Sequence, residues 1–136
     1  MQHRGLKRIA GRRRGTAAVE FAVCLPFIVL LFLGSIELAS MVFLKESLAV
    51  ASYEGARTAA QYNSDSAGVI AKTESMLAIR DVTGAAVSVS PADVSNTERG
   101  DYITVTVSAA CNANAIIPLN FLNDQTLTVQ TTMVRE

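Results

Sequence analysis

Tryptophan is absent from this chain, histidine occurs once and cysteine twice in 136 residues. The one imidazole, His3, sits in a basic N-terminal stretch, so the rest of the chain has no side chain suited to general-base work near neutral pH or to imidazole-type metal binding. Ser-His-Asp and Cys-His arrangements are excluded there. Cys24 and Cys111 stand 87 positions apart, the first inside an apolar run, which excludes a zinc site and an intramolecular disulfide. Cys111 reads as an unpaired small core residue, with an inter-chain pair in an oxidising compartment as the alternative. Phosphate-cradling glycine loops are missing, and the acids show no paired-carboxylate spacing. The chain is therefore expected to be no enzyme and to carry no cofactor or metal.

Acid is missing locally as well. Residues 1–15 hold Arg4, Lys7, Arg8, Arg12, Arg13 and Arg14, six of the 12 basic residues, and none of the 12 acidic ones. The remaining 121 residues then carry a formal charge of −6. An acidic surface repels phosphate backbones, so no nucleic-acid partner is expected beyond the basic stretch. That stretch has two readings, a nucleic-acid contact and a membrane-topology signal, and the segment after it favours the second.

Polar residues are scarce from Phe21 to Leu44, where FAVCLPFIVLLFLGSIELASMVFL contains a single charge, Glu37. As a helix these residues span roughly 36 Å, enough for a hydrocarbon core of about 30 Å. A buried soluble helix would leave some face for water, and the run from Phe21 to Ile36 leaves none. Six cations precede the segment and Lys45 follows it, which places the N-terminus in the cytoplasm and the C-terminal domain outside. A secretory signal cleaved near Ala49-Val50-Ala51 is the competing reading, but its apolar region would be roughly 7–15 residues long and free of Glu37, Lys45 and Glu46.

Glu20 stands just inside the apolar run, where burying its charge costs about 2.5–3.5 kcal/mol without a partner. The order Arg-rich stretch, Gly15, Thr16-Ala17-Ala18-Val19-Glu20-Phe21 and long apolar helix resembles the cleavage region of type IV pilin precursors. The resemblance implies that a membrane aspartyl peptidase cuts between Gly15 and Thr16, making Glu20 the fifth residue of the mature chain. Cutting after Gly5 or Gly11 would put Ala10 or Thr16 there instead. It implies further that Glu20 meets the new Thr16 ammonium of a neighbouring subunit, with Phe21 beside it, so that two charges are satisfied together in low dielectric. The pattern narrows to a resemblance to TadE-like proteins of the tight-adherence, or Flp-pilus, system, regarded as pseudopilins or minor pilins. Its elements are AVEF at 18–21, Leu25-Pro26, Gly34 with Ile36-Glu37, and Glu54-Gly55-Ala56-Arg57. The segment from Leu127 to Glu136 is similar to the family's last strand. Cys24, and Thr16 as a polar first residue, depart from the pattern. Pro26, Gly34 and Glu37 are read as features of the membrane helix, with Pro26 loosening a turn.

Beyond Leu44 the helical pattern continues, with Leu48, Ala51, Ser52, Gly55, Ala56, Ala59 and Tyr62 on one small-residued face. That face suits packing against a sheet or another subunit. Glu54 and Arg57 are spaced for a surface ion pair. A break and N-cap in Asn63-Ser64-Asp65-Ser66 precede a short helix over 67–79, with Val69, Ile70, Met76, Leu77 and Ile79 as its apolar positions. The period then changes to two over 85–90, 102–108 and 126–134, which predicts three strands, the first two joined by a hairpin through 91–101. The apolar segment 115–122 is expected to cap the core or to dock a subunit.

The expected fold is α+β: a basic leader over 1–15, a transmembrane helix over 16–44 continuing into a small pilin-like domain over 45–136, with a short second helix and a three-stranded antiparallel sheet. The expected function is a pilin-like structural subunit in the bacterial inner membrane, with its domain in the periplasm before any extraction into a pilus. Its implied partners are the prepilin peptidase, other pilins and pseudopilins, the inner-membrane assembly platform and the lipid bilayer. A single-pass anchored binding or sensory protein that is never processed is the alternative, and a membrane-anchored hydrolase the third reading.

Overall fold

A computed structural model describes residues 13–117 and 125–136. Its elements in chain order are helix α1 (Arg13–Ala60), helix α2 (Ser66–Ile79), strand β1 (Ala86–Ser90), a single 3-10 turn (Val94–Asn96), strand β2 (Tyr102–Ala110), a second such turn (Asn112–Asn114) and strand β3 (Thr126–Val134). The architecture is the expected α+β one. Most of the basic stretch with His3, and Pro118–Leu122 of the apolar connection, lie outside the described residues. Contacts divide the chain into a unit ending at Ser35 and a unit from Ile36 to Glu136.

The first unit is helix over its described residues, and its large apolar side chains from Val19 to Phe32 are exposed. The helix from Gly15 onward is long and apolar enough to cross a membrane. Lipid satisfies no backbone polar group, so a spanning segment has to bond within itself, as a helix does. Pro26 lies inside α1 and brings no N–H for the carbonyl four residues earlier, Ala22. Ser35 turns its hydroxyl back to the Leu31 carbonyl at 2.8 Å, which leaves its polar group bonded without water.

The second unit has two layers, helices over a sheet. The sheet order is β1-β2-β3, antiparallel throughout. Val87, Val107 and Val129 stand in one row, as do Val89, Val105 and Thr131. Period two puts these on the inner face with Ile103, Ala109, Leu127 and Met133, and leaves Ser88, Thr106 and Gln130 on the other. Burying a side chain such as Ile103 completely contributes about 1.5–3 kcal/mol, and Ile103, Val105, Val107 and Leu48 form the centre of the core.

Within this unit α1 buries Glu37, Ser40, Leu44, Leu48, Ala51, Ser52, Gly55, Ala56 and Ala59, a stripe at spacings of three and four. One expectation fails at a helix end. Tyr62 is exposed, because α1 stops at Ala60 and Asn63 takes a left-handed φ of 61°, so the helical periodicity no longer applies. Helix α2 ends at Ile79 as expected; that residue is exposed, and the buried face of the helix is set by Val69, Thr73 and Leu77. Helix α2 begins one residue early, at Ser66, with Asp65 as its N-cap accepting from the Gly68 N–H at 3.3 Å. Its C-terminus closes with Asp81 N–H to Ala78 carbonyl and Val82 N–H to Leu77 carbonyl, the paired bonds of a Schellman motif around Asp81 at φ 53°. Strand β2 runs two residues past the expected end, to Ala110, because Ala109 and Ala110 still pair with Leu127 and Thr126.

Candidate assembly site

Gly15, Thr16, Glu20 and Phe21 all lie in α1 and are exposed. In a helix Thr16 and Glu20, four residues apart, share a face. Phe21 is 61 % exposed, so the start of the apolar run presents one carboxylate beside a large ring. An exposed apolar helix carrying one acid can bury that acid only against something that offers a cation or a hydrogen-bond donor. Pro26 and Gly34 lie further along the same helix, and a side chain added at Gly34 would meet no atom within 4 Å. Glu37 differs: it belongs to the second unit and is only 6 % exposed there.

The Glu54-Gly55-Ala56-Arg57 element is explained by packing. At Gly55, α1 meets both α2 and β2. A Cβ built there would overlap the Thr73 hydroxyl and sit 3.2 Å from Val105 Cγ1. Only a glycine allows that approach. Ala56 is fully buried beside it, whereas Glu54 is half-buried, Arg57 is exposed, and the surface ion pair expected between them is not formed.

Two polar anchors escape a sequence reading. The Arg135 guanidinium is buried and donates through Nη1 to the Ala59 carbonyl at 3.4 Å, the Ser64 hydroxyl at 3.0 Å and the Val94 carbonyl at 2.9 Å. One cation thereby ties the C-terminus of α1, the turn after it and the β1–β2 connection. A cation at a helix C-terminus is favoured by the partial negative charge of the unpaired carbonyls. Nothing in the pattern around Arg135 distinguishes it from an exposed residue after the last strand. Ser52 is the second anchor: its hydroxyl lies 2.8 Å from that of Thr131 and donates to the Ala49 carbonyl at 2.9 Å, joining α1 to β3. Thr73 was missed as well, although its place midway between Val69 and Leu77 at helical spacing is a signal that could have found it; it is fully buried with its hydroxyl donated to the Val69 carbonyl at 2.8 Å.

Cys111 is buried and unpaired, while Cys24 is exposed. Burial pushes the Cys111 thiol above its ordinary value, against a smaller opposite effect from a backbone hydrogen bond at Leu127. Among the described residues, no three His, Cys, Asp or Glu side chains gather as a metal-binding group.

Comparison with known families gives a match over residues 15–57, to the family described as TadE-like protein. The matched stretch opens on Gly15, at the end of the basic stretch, and closes on Arg57, at the end of the Glu54-Gly55-Ala56-Arg57 element. Comparisons with curated proteins and with solved structures give no match.

Proposed function

We propose that this chain, TadE-like over residues 15–57, is a pseudopilin or minor pilin, a structural subunit in the assembly of a tight-adherence pilus and secretion apparatus. TadE-like proteins are pilin-like and associated with that pilus, a structural rather than an enzymatic kind of protein. The observation that carries the reading is Glu20, a single acid on the exposed apolar helix, five positions into the chain that a cut after Gly15 would leave.

In the proposed mechanism the basic stretch holds the N-terminus in the cytoplasm and the domain emerges into the periplasm. A prepilin peptidase hydrolyses the Gly15–Thr16 peptide bond, which removes the six cations and creates an ammonium at Thr16. Each Glu20 carboxylate then pairs with the Thr16 ammonium of a neighbouring subunit. Alone, each charge is costly in lipid; paired, both are satisfied, and their pairing fixes the register between helices. The apolar side chains around them pack against other pilins and against the assembly platform.

The test is N-terminal mass spectrometry of the membrane-extracted chain from cells with and without their prepilin peptidase. The reading expects a chain beginning at Thr16 only when the peptidase is present. A chain retaining Met1 in both backgrounds would overturn it in favour of an anchored binding or sensory protein.

A further inference from the structure

Strands β1 and β3 each have one partner in the sheet, but the two edges they form differ. β1 has five residues and runs into Pro91, and shortness and proline both blunt an edge. β3 has nine residues, TLTVQTTMV, without charge or proline. Its register with β2 is unbroken from Thr126 to Val134, so no bulge turns it aside. A long, uncharged edge of this kind is a template for a further strand.

The ladder shows which groups that strand would meet. At its two ends the Arg135 N–H donates to the Asp101 carbonyl at 2.8 Å and the Cys111 N–H to the Gln125 carbonyl at 2.9 Å. Bonded and non-bonded pairs alternate in an antiparallel ladder, so the odd-numbered residues of β3 bond to β2. Thr128, Gln130 and Thr132 therefore turn their N–H and C=O groups to the free edge. On the inner face of the same strand Leu127, Val129 and Met133 are only half-buried. Met133 and Val134 also line a hollow of about 420 Å³ with Arg57, Ala60, Gln61 and Glu136. An added strand would cover the inner row, and its side chain next to Met133 would enter that hollow.

The direction of α1 bears on whose strand this is. Ser52 meets Thr131, Ala59 meets Arg135, and the Ala60 carbonyl accepts from the Glu136 N–H at 3.0 Å. Where they touch, α1 and β3 thus run the same way. Two copies pairing antiparallel through β3 would send their α1 helices in opposite directions, which chains anchored in one membrane do not allow. We propose that the free edge of β3 takes an extended strand from a different subunit, uncharged along β3 and with alternate apolar residues turned toward α1. The proposal rests on the reading of this chain as an anchored, assembling subunit, and it names the place where a partner docks.

The test uses the full-length chain in detergent and, as probe, an acetylated and amidated peptide of the sequence Thr126–Val134, which alternates correctly and has no helix to fix its direction. Amide exchange is followed residue by residue by NMR. In the chain alone, Val129 and Thr131 should exchange slowly and Thr128, Gln130 and Thr132 fast; with the peptide, those three should slow as well. Unchanged exchange at the three overturns the proposal. Slowing on concentrating the chain without peptide overturns it in favour of pairing between copies. Gln130→Pro removes only an outward N–H, which an edge strand tolerates, so the fold should persist and the effect of the peptide be lost. Thr128→Lys with Thr132→Lys makes the same test by charge if the proline variant loses its circular dichroism spectrum. In cells, the variant that folds should be cut after Gly15 as the unaltered chain is and be lost from assembled complexes; incorporation at the unaltered level overturns the role given to the edge. A chain that retains Met1 yet shows the alternating protection removes the pilin reading and leaves the strand site standing.

Discussion

Gly55 shows how much a single hydrogen can decide. With no side chain it lets α1 reach Thr73 and Val105 together; Gly55→Ala forces an overlap with a fully buried residue. Overpacking of this kind costs about 1–3 kcal/mol, so the variant should unfold at lower denaturant concentration, with part of the loss restored when Thr73→Ala removes the hydroxyl that the new Cβ overlaps. Denaturation of the detergent-solubilised chain followed by circular dichroism measures both. Arg135 acts by the opposite means, filling a site with donors. Arg135→Met keeps much of the stem but loses the charged donor; the Ala59 and Val94 carbonyls retain bonds from the Ser64 and Thr97 hydroxyls, so the cost is that of the lost bonds to the cation, about 1.5–3 kcal/mol, visible in the same experiment. Cys111 adds a pH dependence. Its thiol titrates above its ordinary value of 9.0 when folded, so between the unfolded and folded values the native state binds more protons than the unfolded one. The stability from the neutral thiol is therefore fully present below the unfolded value and is lost as pH rises toward the folded one. Cys111→Ala should flatten that decline, as denaturation midpoints across alkaline pH will show.

At the scale of elements, α1 is two kinds of helix joined without a break. Its first part offers exposed apolar side chains, and its last part a narrow stripe on which Leu44, Leu48, Ala51, Ala56 and Ala59 are buried. Pro26 lies in the first part, where the missing N–H weakens one turn. If that weakness eases the helix out of the bilayer during assembly, Pro26→Ala should assemble more slowly while being processed normally. A time course of assembled subunit measures this, and assembly at the unaltered rate would remove the role given to Pro26. In the sheet, β2 has a partner on each side while β1 and β3 each have one. The amides of 103–109 should accordingly exchange most slowly of all strand amides, a ranking that hydrogen exchange by mass spectrometry checks directly.

For the molecule as a whole, the proposed assembly chemistry belongs to the exposed helix of the first unit. Glu20→Ala should leave cleavage at Gly15–Thr16 intact, because the peptide bond is untouched, and should abolish incorporation into assembled complexes, because the Thr16 ammonium loses its partner. Co-purification from cells carrying both forms of the subunit separates these effects; incorporation at the unaltered level would rule out the charge pair.

The amino-acid sequence by itself determined the apolar helix, the second helix and all three strands, because each rests on a local period that survives without tertiary help. The TadE-like pattern from Gly15 to Arg57 was legible for the same reason, being a matter of order and spacing. Packing alone decided the rest. The ends of elements moved, as at Tyr62, Ser66 and Ala110, because periodicity does not say where a helix starts or stops or how long a partner strand continues. The role of Gly55 required three elements to meet, and the roles of Ser52 and Arg135 required residues 79 and 76 positions away, Thr131 and Ala59 respectively. Hydrogen bonds between such distant partners leave no periodic trace in a chain; they exist only once the hydrophobic faces have brought the partners together.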